Sequence, residues 1–141
     1  MRFFIIFFFF TNSVVADQGI NGIVVSPARS LKKLEIDGNS IRAESGVMLG
    51  RLVKECMKNN LSGLETLVGV PGTLGGALVM NAGAFGGEIS NYLQSVEIMK
   101  MNGSTKTYKT KDINFSYRFS SFKQDEFIIL ANFILPNEDP N

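Results

Sequence analysis

GLETLVGVPGTLGGALVMNAGAFGG, residues 63–87, is the stretch from which the rest of the chain is read. Eight of the chain's 14 glycines fall in it: Gly63, Gly69, Gly72, Gly75, Gly76, Gly83, Gly86 and Gly87. Glycine loses the most backbone freedom on folding and adds no side chain to a core. Clustered glycine therefore points to turns, or to backbone that must come close to something. Val68-Gly69-Val70 reads as a short buried strand ended by Pro71. Pro71-Gly72-Thr73 can form a tight turn, with Thr73 capping a helix that runs through Met80. Gly83 stands where a helix C-cap is expected. The start of such a helix offers unpaired N–H groups and a positive dipole end, which suit a phosphate. The reading is a pyrophosphate-bearing ligand cradled by Gly72–Gly76. Its alternative is a glycine-rich loop and helix that serve tight packing only.

Composition narrows the function classes. The chain has 141 residues, which suits one domain or two small lobes. Apolar residues make up 45%, enough for a real core. The net charge of +1, with no basic run, argues against a nucleic-acid surface. A single cysteine, Cys56, excludes an intrachain disulfide framework and reads as a small buried hydrophobe. With no histidine, a zinc site or a histidine-based triad is implausible, and no metal is expected.

Outward from the centre, Met48, Leu49, Leu52, Val53, Cys56 and Met57 recur at helical spacing, giving a helix over 48–59 stopped by Asn59-Asn60. Asp37-Gly38-Asn39 turns a hairpin between 31–36 and 40–43. Asn102-Gly103 turns a second one. Residues 88–93 read as a short helix, and Phe127–Leu135 as a long apolar strand that closes the sheet. Gly22–Val25 reads as a short strand, and Pro136–Asn141 as a frayed tail. The apolar run Phe3–Phe10 has two readings. It is either a buried strand or the core of a secretory signal cleaved after Ala16; it is too short to span a membrane.

The central stretch resembles the FAD-binding signature of the UDP-N-acetylenolpyruvoylglucosamine reductase (MurB, UDP-N-acetylmuramate dehydrogenase) family. Phe115-Ser116-Tyr117-Arg118-Phe119-Ser120 is similar to that family's Tyr-Arg-x-Ser motif, in the expected order. The likeness runs from about Asn12 to Leu135. It implies an α+β fold, the FAD-binding domain of the PCMH/vanillyl-alcohol-oxidase type. That means a small, mostly antiparallel sheet with packed helices and an incomplete N-terminal βαβ lobe. The implied organisation is a first-lobe remnant over 1–30, a second lobe over 31–136 and a tail over 137–141. The same register favours the strand reading of 3–10, because Thr11-Asn12 then stands where the family has Ser-Asn.

The resemblance also implies chemistry. The family uses FAD and NADPH to reduce UDP-N-acetylglucosamine enolpyruvate, in the cytoplasm, for peptidoglycan synthesis. Arg118 matches its active-site arginine, a fixed cation beside an anionic intermediate. Tyr117 matches the neighbouring substrate-side position; otherwise it is a half-buried strand tyrosine. Cofactor contacts map to Asn12, Gly46, Val70, Pro71, Gly72 and Thr73. They continue with Gly75, Gly76, Ala77, Asn81, Gly83 and Ala84. Phe8-Phe9-Phe10 replaces the family's glycine turn at the pyrophosphate, which sets half of the phosphate cradle against bulky rings. The family's catalytic serine and glutamate belong to a C-terminal substrate domain expected to be absent. Three outcomes follow: the FAD-binding core of the reductase, an inactive truncated remnant, or a flavin-binding subunit needing a separate substrate domain. Exposed sheet edges would also favour self-association.

Overall fold

The computed structural model describes the backbone of residues 3–6, and residues 14–19 and 21–137 in full. Phe3–Ile6 (β1) pairs in parallel with Gly22–Val25 (β2), Phe3 opposite Gly22 and Ile6 opposite Val25. Asn12 and Phe8–Phe10 lie outside the described residues, as do 138–141.

The main sheet is antiparallel and five-stranded among the described residues. Leu34–Asp37 (β3) and Ser40–Glu44 (β4) form the first hairpin, Asp37 opposite Ser40. Leu93–Lys100 (β7) and Thr105–Lys109 (β8) form the second, turned at Asn102-Gly103 as the sequence suggests. Between β4 and β7 runs Glu126–Ile134 (β11), in the order β3-β4-β11-β7-β8. The apolar strand expected to close the sheet is instead its centre. A run such as Phe127-Ile128-Ile129-Leu130-Ala131 suits a position paired on both sides better than an edge. A bulge between Ile128 and Leu130 interrupts its pairing with β7, and the Ile129 carbonyl there accepts the Ser45 N–H at 2.8 Å.

Leu49–Lys58 (α1) matches the expected helix within a residue at each end. Its buried residues, Leu49, Leu52, Val53 and Cys56, follow the i, i+3, i+4, i+7 stripe of a core-facing helix. Asn60, at φ 54°, ends it in the left-handed conformation that asparagine tolerates. Leu74–Val79 (α2) is a six-residue helix whose Leu74, Ala77 and Leu78 enter the same core as α1, Ile41, Ile128 and Phe133. The expected short helix over 88–93 is a 3₁₀ turn, Ile89–Tyr92. At the start of the expected tail, Ser62 donates its N–H to the Pro136 carbonyl at 2.9 Å and Asn137 bridges Leu61. No described helix is long and apolar enough to cross a membrane.

Candidate functional site: the glycine segment and the Tyr117–Arg118 hairpin

The glycine segment is not built as the sequence suggests at its entrance. Val68-Gly69-Val70 is not a strand. Glu65–Leu67 forms a 3₁₀ turn, Val68 and Val70 donate backward to Glu65 and Leu67 carbonyls, and Val68 is 54% exposed. Local i→i+3 bonding at two positions leaves this backbone no partner strand.

Thr73 is the N-cap of α2, as expected, with its Oγ1 accepting the Gly76 N–H at 3.4 Å. Two N–H groups of the helix start are nevertheless already bonded within the fold. Leu74 donates to the Val47 carbonyl at 2.8 Å and Gly75 to the Ser45 carbonyl at 2.9 Å. The donors that the sequence left free for a phosphate are consumed by the β4–α1 junction. Packing has taken them because Leu74 and Gly75 are buried against that junction. Gly46 serves the same packing. A Cβ there would strike the carbonyl oxygens of Pro27 and Leu31, so the residue lets two backbones meet.

The loop before the helix keeps the other property. Gly72 has φ 122°, which an L side chain rarely adopts, and nothing lies within 4 Å of where its Cβ would stand. Gly69 is equally open. Val70, Pro71 and Gly72 thus form a partly exposed backbone ledge beside the capped end of α2. This is the part of the segment whose backbone stays open, in the loop rather than at the helix N–H groups.

At its other end the helix is closed by Asn81, not by Gly83. Asn81 takes φ 42° and is 2% exposed. Gly83–Ala84 (β5) and Gly87–Glu88 (β6) instead pair as a small hairpin whose tip is Phe85-Gly86. Phe85 is held at φ 52° and almost fully exposed. Gly76 and Ala77 lie within α2, Ala77 buried in the core.

Phe115–Ser116 (β9) and Phe119–Ser120 (β10) pair across a two-residue turn made of Tyr117 and Arg118. Tyr117, expected either at a ligand or half-buried in a strand, is 84% exposed at the tip. Arg118 is exposed beside it, its guanidinium carbon 6.0 Å from the Tyr117 ring centroid. Arg118 also has φ 50°, a conformation that costs a non-glycine residue on the order of 1 kcal/mol. Two hydrogen bonds bring this hairpin to α2. The Ser120 hydroxyl donates to the Val79 carbonyl at 2.6 Å, and the Asn81 amide nitrogen donates to the Ser116 carbonyl at 3.1 Å. The sequence placed Asn81 at the cofactor. Its amide nitrogen reaches the hairpin, and its amide oxygen is buried with no partner among the described residues.

Sequence reasoning passed over a second polar cluster. Glu126, 6% exposed, accepts the Tyr108 hydroxyl at 2.6 Å and the Lys123 N–H at 3.0 Å. The hydrogen bond to this carboxylate, with burial, pushes the Tyr108 hydroxyl up to about 12. Phe122 packs edge-on against Tyr108 and Phe115, tying the cluster to the base of the hairpin. Only the alternation of β8 hinted at it. Cys56 is buried as expected, and burial raises its thiol to about 11, so it is no nucleophile at neutral pH.

Known proteins are similar to this chain in sequence and in fold. The chain is 39% identical over 121 residues to a UDP-N-acetylenolpyruvoylglucosamine reductase of Syntrophomonas wolfei, covering 86% of this chain and 40% of that protein. It thus spans about 40% of the length of the curated relatives it matches. The crystal structure of the MurB reductase from Thermus caldophilus superposes with a TM-score of 0.68 at 27% identity, covering 84% of this chain and 44% of that one. The 6-hydroxy-D-nicotine oxidase of Arthrobacter nicotinovorans shares the fold, with a TM-score of 0.62 at 19% identity over 84% of this chain and 28% of that one. The FAD binding domain family matches residues 8–109, which include the ledge, α2 and four strands of the main sheet. With that match over more than half of its length, the chain belongs to the FAD-binding-domain family.

Proposed function

We propose that this chain is the FAD-holding part of a UDP-N-acetylenolpyruvoylglucosamine reductase. One observation carries the reading. The open Gly72 ledge and the Tyr117–Arg118 hairpin sit at opposite ends of the same short helix, joined through Ser120 to Val79 and Asn81 to Ser116.

Val70, Pro71 and Gly72 would hold the cofactor by backbone. The chemistry FAD supplies when bound is hydride transfer, with NADPH as the donor and UDP-N-acetylglucosamine enolpyruvate as the acceptor. What the chain itself contributes is charge and position. An enolpyruvyl ether carries a carboxylate, and hydride addition to its double bond builds further negative charge beside it. The Arg118 guanidinium can grip the carboxylate with two N–H donors and stabilise that developing charge. Tyr117, next to it, offers an aromatic face and a hydroxyl at the same tip. The proton for the neighbouring carbon, and the contacts to the uridine diphosphate, belong to a substrate domain, on the same polypeptide or a separate one.

A second reading has one observation in its favour. The N–H groups of Leu74 and Gly75 are spent inside the fold, as they would be in a remnant that keeps the helix for packing alone. Flavin fluorescence separates the two. Titration of FAD into the purified chain is expected to quench it saturably, and Gly72→Val is expected to weaken binding at least tenfold by putting a branched side chain at φ 122° on the ledge. Unquenched emission from both proteins would support the packing-only reading.

A further inference from the structure

The β9–β10 hairpin has two residues per strand and stands apart from the main sheet. A ribbon that short does not hold itself in place. Its internal rungs, Asn114 N–H to the Ser121 hydroxyl at 2.9 Å and Ser121 N–H to the Asn114 carbonyl at 3.0 Å, set its shape. They do not set where its tip lies. Among the described residues, two of its polar contacts reach α2 and the turn after it, one from each strand: Ser116 on β9 to Asn81, and Ser120 on β10 to Val79. Of these, Ser120 is the donor in the shorter bond. It is 8% exposed, and it serves a carbonyl in the last turn of a helix, where backbone acceptors lack intrahelical partners.

Resting on the reading of Arg118 as the cation for an anionic substrate group, we propose that Ser120 is a positioning residue. Its hydroxyl fixes the Tyr117–Arg118 tip against the end of α2, and so sets where the guanidinium stands relative to the Gly72 ledge. A serine read from the sequence as a motif neighbour thereby becomes the coupling between the cofactor end and the charge end of the site.

The test uses the full chain loaded with FAD and follows the flavin absorption band as UDP-N-acetylglucosamine enolpyruvate is added. Arg118→Ala and Ser120→Ala are each expected to weaken the ether roughly tenfold, the scale of one lost polar contact, with FAD affinity unchanged. The double variant is expected to be no weaker than Arg118→Ala alone, because Ser120 acts through the arginine. Ser120→Thr, which keeps the hydroxyl, is expected to retain most of the affinity. Should Ser120→Ala fail to fold, Ser120→Cys, with its weaker donor, takes its place in the same cycle. Additive losses, or a silent serine variant beside a responsive Arg118→Ala, overturn the positioning role alone. A silent Arg118→Ala, or a wild-type chain with no flavin response, overturns the reading beneath it and the proposal together.

Discussion

Asn81 and Ser116, 35 positions apart in sequence, are joined by a hydrogen bond of 3.1 Å from the asparagine amide to the serine carbonyl. The bond exists because Asn81 leaves α2 in a left-handed turn, φ 42°, which swings its side chain under the hairpin instead of out to solvent. One residue thus ends the helix, closes the glycine segment and anchors the strand that precedes Arg118.

Asn81→Ala is expected to destabilise the chain by about 1–3 kcal/mol, from a buried bond lost and a Cβ residue less tolerant of positive φ. Asn81→Gly keeps the backbone relaxed and loses only the side chain, so it is expected to cost less than alanine. Urea denaturation at unchanged slope measures both. Equal costs would mean that the left-handed backbone contributes nothing to the difference.

Arg118 gives the opposite trade. It sits at φ 50° in a two-residue turn where glycine would be relaxed. Arg118→Gly is expected to raise stability by on the order of 0.5–1 kcal/mol while weakening the enolpyruvyl ether roughly tenfold, as Arg118→Ala does. A variant that loses both stability and response would assign the arginine to folding rather than to ligand.

Alkaline pH probes the cluster under the hairpin. The Tyr108 hydroxyl, ordinarily at 10.0, is held at about 12, chiefly by its hydrogen bond to Glu126 and then by burial. The unfolded chain therefore loses this proton first. Stability from the pair is complete below about 10 and falls as pH rises from about 10 to about 12. Tyr108→Phe is expected to be less stable at neutral pH and flatter across that window. A shallower decline starting lower remains, because the Cys56 thiol is raised from 9.0 to about 11 in the same direction. An unchanged alkaline profile in Tyr108→Phe would contradict the assignment, and tyrosinate absorbance during the titration reads it directly.

These contrasts show which features were legible. The α1 stripe of Leu49, Leu52, Val53 and Cys56, and the Asp37-Gly38 and Asn102-Gly103 turns, depend on local spacing and stood as read. The centre of the sheet did not. Whether Phe127–Leu135 is edge or middle depends on partners far away in sequence, and β4 and β7 only become neighbours through it. The site divides in the same way. Gly72 and the Thr73 cap follow from residue type and local order. The capture of the Leu74 and Gly75 N–H groups by Val47 and Ser45 is a long-range event, and so is the inward turn of Asn81. No periodicity encodes either. The family likeness supplied Tyr117, Arg118 and Ser120 as a motif, but neither the exposed tip on which the first two stand nor the bond from Ser120 to the Val79 carbonyl.

The most direct measurement is the visible absorption spectrum of the purified full chain after incubation with FAD and exhaustive dialysis. A structured flavin band retained at one equivalent per chain, and lost in Gly72→Val, is the expected result. Flavin recovered entirely in the dialysate, with the chain folded and monodisperse, would contradict the central claim that the Gly72 ledge is a cofactor site.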